Sequence, residues 1–141
     1  MRGTMNQAER RLYLIRALLD ENPRYRDMEI PRSVGEQKRL LRSLMNVWLP
    51  APIGEDFLTI QDEYLKEANR EKGITRLSDL EPVEEDLYLW QGDITAIECD
   101  AIVNAANSQM LGCFSPCHGC IDNAIPYSIT HRPMTSFRAS A

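Results

Sequence analysis

The chain has 141 residues, of which 43% are hydrophobic and 26% charged, and a formal net charge of -5. These values describe one small globular domain with at most an appended subdomain, and they exclude a disordered chain. The acidic balance disfavours a nucleic-acid surface, which needs clustered Lys and Arg, and no stretch approaches the about 18 apolar residues that span a bilayer. The start, MRGTMNQAERR, has no apolar signal core. We therefore expect a cytoplasmic protein with no nucleic-acid or membrane partner.

Three amphipathic helices are predicted before residue 73. Asn6 and Glu9 have capping-box spacing, Ser33 repeats that start signal, and a third helix begins at residues 55–56 and ends at Gly73. Their apolar faces are Leu12, Ile15, Leu18 and Leu19; Leu40, Leu41, Leu44, Val47 and Trp48; and Phe57, Ile60, Tyr64, Leu65 and Ala68. We interpret all three faces as core packing, because apolar stripes at this spacing normally face a core.

The periodicity changes after a polar connector at residues 74–86. Residues 87–90 and 101–103 are short apolar runs that end at Gly92 and Asn104, and their length predicts two buried strands. Helices followed by such strands indicate an α/β fold.

A cluster of metal-binding residue types follows the second strand. The stretch GCFSPCHGCID, residues 112–122, holds three of the four cysteines and one of the two histidines. Zinc binds thiolate and imidazole, and a site with three protein ligands leaves a position open for water or substrate. The glycines and the proline let one loop point several side chains inward. We expect Cys113, His118 and Cys120 as ligands, because the adjacent Cys117 and His118 would not easily share one ion.

Other interpretations of the cluster remain open at this point. All four groups could form a closed structural metal site. The CxxC spacing of Cys117 and Cys120 is also typical of dithiol oxidoreductases, and without the neighbouring motifs it ranks equal with a metal site. Free cysteines also behave as small buried hydrophobes, which is how we interpret Cys99.

Two further motifs carry a family resemblance. The run WQGDIT at residues 90–95, followed by DAIVNAAN at residues 100–107, resembles the opening of a macrodomain, the ADP-ribose-binding α/β fold. Residues 108–123 resemble the zinc-dependent macrodomains, which are microbial protein-ADP-ribose hydrolases, and the preceding helices resemble their N-terminal extension. The resemblance implies a helical extension and connector at residues 1–86 and the first part of a three-layer macrodomain at residues 87–125. It also implies Zn2+ on the three ligands above, ahead of redox chemistry.

The resemblance implies roles for four more residues. Asp93, with the Ile94 backbone nearby, would accept a hydrogen bond from the adenine amino group. Asn107 would orient the distal ribose, and Asp122 would lie near that sugar to orient or deprotonate. The alternatives are ordinary: Asp93 as a turn cap, Asn107 as a turn residue, and Asp122 as a helix N-cap. Asn104 is expected to tie the strand end to neighbouring backbone.

The implied activity is zinc-assisted removal of ADP-ribose from mono-ADP-ribosylated protein. Residues 126–141 depart from the family pattern, beginning with Pro126, and we expect them to form a divergent, disordered tail. We also expect a truncated or frameshifted family member with an incomplete pocket and doubtful catalysis. A non-catalytic zinc or ADP-ribose binding remnant is therefore the second hypothesis, and a dithiol redox protein is the third.

Overall fold

The computed structural model describes residues 5–48, 52–106, 108 and 112–129. These described residues form four α-helices: α1 (Gln7–Glu21), α2 (Val34–Val47), α3 (Glu55–Lys72) and α4 (Ile121–Ile129). Between α3 and α4 they form four short strands: β1 (Thr75–Arg76), β2 (Pro82–Glu84), β3 (Leu87–Tyr88) and β4 (Ile97–Glu98). None of the helices in these ranges is long and apolar enough to cross a membrane.

The first helix begins at a complete capping box. Asn6 Oδ1 accepts hydrogen bonds from the Ala8 and Glu9 backbone N–H groups at 2.9 and 3.0 Å, and the Asn6 N–H donates to Glu9 Oε2 at 2.8 Å. Because the first turn of a helix has N–H groups without helical partners, this reciprocal pair fixes where α1 starts. The predicted start is confirmed.

The boundaries of the next two helices are also confirmed. Ser33 Oγ accepts from the Glu36 N–H at the start of α2. Gly73 ends α3 with a φ of 87°, a backbone conformation that glycine adopts without steric cost.

Helices α1 to α3 pack into one apolar core. Its fully buried members are Leu14, Ile15, Leu19, Leu41, Tyr64 and Leu65, with Leu18, Leu44 and Phe57 nearly so. The predicted face of α1 was wrong at one position, because Leu12 is 39% exposed and Leu14 takes its place in the core. Leu14 lies one turn before Leu18, so the two side chains share a helix face.

The two predicted buried strands are wrong. Only Leu87–Tyr88 of the first run forms a strand, with both residues exposed, and residues 101–103 form none, leaving Val103 92% exposed. Burial of a strand requires partners at its edges and cover on its faces. Among the described residues, β1 pairs only with β4 in parallel and β2 only with β3 in antiparallel register. The α/β class is confirmed to the extent of mixed helices and small sheets.

The fourth helix continues through a proline. Helix α4 includes Pro126 and ends at Ile129, so it extends four residues into the segment predicted to be a disordered tail. Residues 130–141 of that predicted tail lie outside the described residues. α4 packs against α2 and α3 and follows the cysteine loop directly, and this places the loop beside the helical core.

Candidate functional site

The three predicted ligands converge in the loop before α4. One ligand atom from each of Cys113, His118 and Cys120 lies within 4.8 Å of the others, and Cys113 Sγ is 3.5 Å from His118 Nδ1. Zinc bonds of about 2.3 Å to sulfur and about 2.0 Å to nitrogen, in tetrahedral geometry, separate ligand atoms by about 3.5 to 3.8 Å. The donor atoms therefore fit a metal ion after small side-chain adjustments, and this group could hold one.

The loop backbone explains how one short segment directs three side chains towards one another. Gly112 has a φ of 82° just before the first ligand, and the His118 N–H donates to the Ser115 carbonyl at 3.2 Å to close a turn. Cys117 also takes a left-handed φ of 52°, which is uncommon for a residue with a side chain. Such a conformation persists only where surrounding contacts hold it.

Those contacts come from α2 and turn Cys117 away from the ligand group. Cys117 Sγ lies 3.2 Å from Ser43 Oγ and 3.5 Å from the Arg39 carbonyl oxygen, while its N–H donates to Asn46 Oδ1 at 3.0 Å. Cys117 is not a member of the group whose ligand atoms lie within 4.8 Å of one another. This position leaves Cys117 outside the candidate ligand group and weakens the interpretation as a closed four-ligand site.

Asn123 and Arg42 support the loop, and sequence reasoning missed both. Asn123 is 1% exposed, and its Nδ2 donates to the carbonyls of Cys113 and Ser115 at 3.2 and 3.0 Å. Its Oδ1 accepts from Arg42 Nε and Nη2 at 3.2 and 2.7 Å. The only signal in the sequence is the position of Asn123, directly after Asp122.

Asp122 is the second residue of α4, so it lies inside the helix and is not the N-cap considered from the sequence. It is 7% exposed, and one carboxylate oxygen accepts from Asn104 Nδ2 at 3.0 Å. Its backbone carbonyl accepts from the Cys113 N–H at 3.3 Å. That carbonyl is available because the residue four positions on, Pro126, has no N–H to donate to it. Asp122 is thereby tied to the first ligand residue.

Within the part of the chain that the structure describes, the Asn104 side-chain amide donates to the Asp122 carboxylate and to no backbone carbonyl, so its contact differs from the one predicted. The Asn104 side-chain oxygen is buried and has no hydrogen-bond partner among the described residues. Asn107, the expected ribose-binding residue, lies outside the described residues.

Asp93 and Ile94 lie at the start of a separate short 3-10 helix, Ile94–Ala96. Asp93 caps this helix, because its Oδ1 accepts from the Thr95 N–H at 2.9 Å and the Thr95 hydroxyl at 2.7 Å. Lys72 Nζ from α3 lies 3.7 Å from the other carboxylate oxygen. The Thr95 hydroxyl is the main cause that lowers the pKa of Asp93, assisted by Lys72. The cap predicted as the ordinary alternative is present, and the Asp93 side chain remains largely exposed.

Comparison with known proteins gives close relatives. No protein-family model matches the chain. It is 58% identical over 125 residues to a protein-ADP-ribose hydrolase of Treponema medium, covering 86% of this chain and 48% of the relative. A protein-ADP-ribose hydrolase of Staphylococcus aureus (strain MRSA252) is 42% identical over 114 residues, covering 80% of this chain and 42% of the relative.

A more distant match is to a probable bifunctional ADP-ribose hydrolase/ADP-ribosyltransferase of Fusarium oxysporum f. sp. cubense. It is 41% identical over 97 residues, covering 61% of this chain and 16% of the relative. The chain spans about half the length of the first two curated relatives. Over most of its own length the chain is therefore similar to proteins named protein-ADP-ribose hydrolase.

Proposed function

We propose that the chain carries the zinc site and the adenine-side residues of a macrodomain-type protein-ADP-ribose hydrolase. In this proposal residues 1–86 are the helical extension and connector, residues 87–125 begin the macrodomain and residues 126–141 are a divergent segment. The observation that carries the proposal is the convergence of Cys113, His118 and Cys120, in a chain 58% identical to a named hydrolase. The partners would be ADP-ribose and mono-ADP-ribosylated protein in the cytoplasm, without nucleic acid or membrane.

Zinc is the metal that the donor set favours. Two thiolates and one imidazole are typical of zinc, and three protein ligands are typical of catalytic zinc sites. When bound, the ion would supply Lewis acidity, either polarising an oxygen of the distal ribose or the scissile linkage or acidifying a bound water.

The chain's own residues would bind and orient the ADP-ribosyl group. Asp93, whose pKa the Thr95 hydroxyl lowers further below neutral, is ionised at neutral pH and would accept from the adenine amino group, with the Ile94 backbone beside it. Asn107 would hold the distal ribose. Asp122, fixed by Asn104 and by the Cys113 backbone, would orient the sugar or take a proton next to the ligand loop.

Native mass spectrometry with and without ADP-ribose tests the zinc site. We expect one zinc ion per chain, lost in Cys113→Ser and kept in Cys117→Ser, because only the first sulfur belongs to the ligand group. If Cys117→Ser lost zinc and Cys113→Ser kept it, the ligand assignment would be contradicted.

The ADP-ribose adduct tests the adenine contact. Asp93→Ser retains an N-cap side chain but removes the carboxylate, so the thermal stability should change little while the adduct weakens about tenfold or more. Zinc-dependent release of ADP-ribose from modified protein would support hydrolysis. Retention without release would favour the non-catalytic binding hypothesis, and no adduct with the zinc-loaded chain would contradict both.

A further inference from the structure

We propose that Arg42 and Asn123 form a positioning unit through which helix α2 sets the metal affinity of the ligand loop. The inference rests on the proposed zinc site and deepens it. It assigns a role to two residues that lie 81 positions apart in the chain, both outside the ligand group.

The unit reaches the backbone of every ligand residue. Asn123 Nδ2 holds the Cys113 carbonyl, and Arg42 Nη2 holds the His118 carbonyl at 3.2 Å. The Asn123 N–H donates to the Cys120 carbonyl at 3.2 Å in the first turn of α4. One hydrogen-bonded pair therefore fixes the relative positions of the three ligand residues.

Both members of the unit are themselves restrained. Asn123 is nearly fully buried, and each hydrogen of its amide group and both acceptor positions of its oxygen are engaged, so its side chain has no alternative orientation of similar energy. The Arg42 guanidinium carbon lies 5.7 Å from the centre of the Tyr127 ring of α4, a cation–π contact.

Restraint of this kind raises metal affinity by pre-organisation. A flexible loop loses conformational freedom when its ligands gather around an ion, whereas a loop already held in shape loses less. Groups outside the ligand set that orient ligands typically change metal affinity by about 10- to 100-fold when they are substituted.

Charge alone predicts that substitutions in this unit change metal affinity in the opposite direction, and this makes the proposal testable. Arg42 is a cation beside a cation site, so Arg42→Ala should strengthen metal binding if charge alone matters. Asn123→Asp adds a negative charge and should also strengthen binding on that basis. As a loss of positioning, each substitution weakens binding, because Arg42→Ala releases Asn123 and Asn123→Asp removes the donor to Cys113.

The experiment is a Co2+ titration of the full chain, read by thiolate-to-cobalt absorption, with Zn2+ competition for affinity. We expect about 10- to 100-fold weaker binding for Arg42→Ala and Asn123→Asp, with altered cobalt spectra. Arg42→Lys should lie between these and wild type, because one ammonium group cannot reproduce the guanidinium fork on Asn123 and His118. Lys38→Ala removes a charge from the same helix at an exposed pair with Glu71 and should leave affinity unchanged.

The outcomes separate this inference from the proposed function. No Co2+ or Zn2+ binding by wild type overturns the metal site and the inference together. Metal binding by wild type with equal or tighter binding by Arg42→Ala and Asn123→Asp overturns the inference alone. Circular dichroism of the metal-free proteins checks that each variant folds. If Arg42→Ala is unfolded, Arg42→Lys takes its place in the test. An Arg42→Lys variant with the metal affinity and the cobalt spectrum of wild type would overturn the inference.

Discussion

Tyr127 combines an ionisable hydroxyl with a position against the core. Its ring packs on the apolar cluster beneath Arg42, and removal from water raises its pKa well above the usual 10.0. Burial likewise raises the pKa of Tyr64, which is 1% exposed. Because the unfolded chain releases these protons first, the stability that depends on the neutral phenols is fully present below pH 10 and declines above it.

We therefore predict that Tyr127→Phe flattens this alkaline decline. The free energy of unfolding of wild type should fall above about pH 10, by up to about 1.4 kcal/mol per pH unit for each proton involved. Urea unfolding between pH 8 and 11, with chelator present, measures it. Tyr88→Phe, at an exposed position, is the matched control and should keep the wild-type slope. Identical slopes for wild type and Tyr127→Phe would show that Tyr127 does not contribute.

At the residue scale, local signals in the sequence indicate the candidate ligand group but not the side chains that hold its loop in place. Cys113, His118 and Cys120 are recognisable because they lie within eight residues in a loop with turn-forming neighbours. Arg42 and Asn123 are separated by 81 positions, so no local pattern relates them. Their partnership follows from the packing of α2 against α4, which a single sequence does not reveal.

At the scale of elements, the capping box of α1 is the clearest test of why a helix starts where it does. Asn6→Ala removes the acceptor for two backbone N–H groups and should destabilise the fold by about 1 kcal/mol. Asn6→Asp and Asn6→Ser keep a capping oxygen and should lie close to wild type. Chemical denaturation measures the difference. Equal losses in all three variants would mean that the asparagine acts through something other than its cap.

Helices were predicted more accurately than strands because helix signals are local in the sequence and strand burial is not. Caps and apolar faces are encoded within one segment, so α1, α2 and α3 begin where Asn6, Ser33 and the residue 55–56 pair indicate. Strand burial depends on partners elsewhere in the chain, and an apolar run such as residues 101–103 does not specify them. Pro126 lies inside α4, although it was predicted to begin a disordered tail. It has no N–H to donate to the Asp122 carbonyl, and this carbonyl accepts from the Cys113 N–H.

At the scale of the whole molecule, polar contacts join the helical part to the segment that follows it. Arg42 reaches Asn123, Asn69 Nδ2 donates to the Ser128 carbonyl at 3.0 Å, and Lys72 donates to Thr95 at 3.0 Å. The boundary at residue 86 stays a prediction, but the ligand loop depends on side chains from both sides of it. Binding of an ion at the candidate metal site should therefore change the stability of the helical core.

We predict that metal binding stabilises the whole fold and does not act on the loop alone. An ion that binds only the folded chain adds about 2.7 kcal/mol at a free concentration one hundred times its dissociation constant. Zinc should therefore raise the thermal midpoint of the helical circular dichroism signal, and chelator should reverse the rise. Cys113→Ser should abolish the zinc effect. Cys99→Ser should retain it, because Cys99 lies outside the candidate ligand group and is exposed, so its interpretation from the sequence as a buried hydrophobe was wrong. A midpoint unaffected by zinc, in a chain shown by mass to carry the ion, would mean that the loop closes without coupling to α2 and α4.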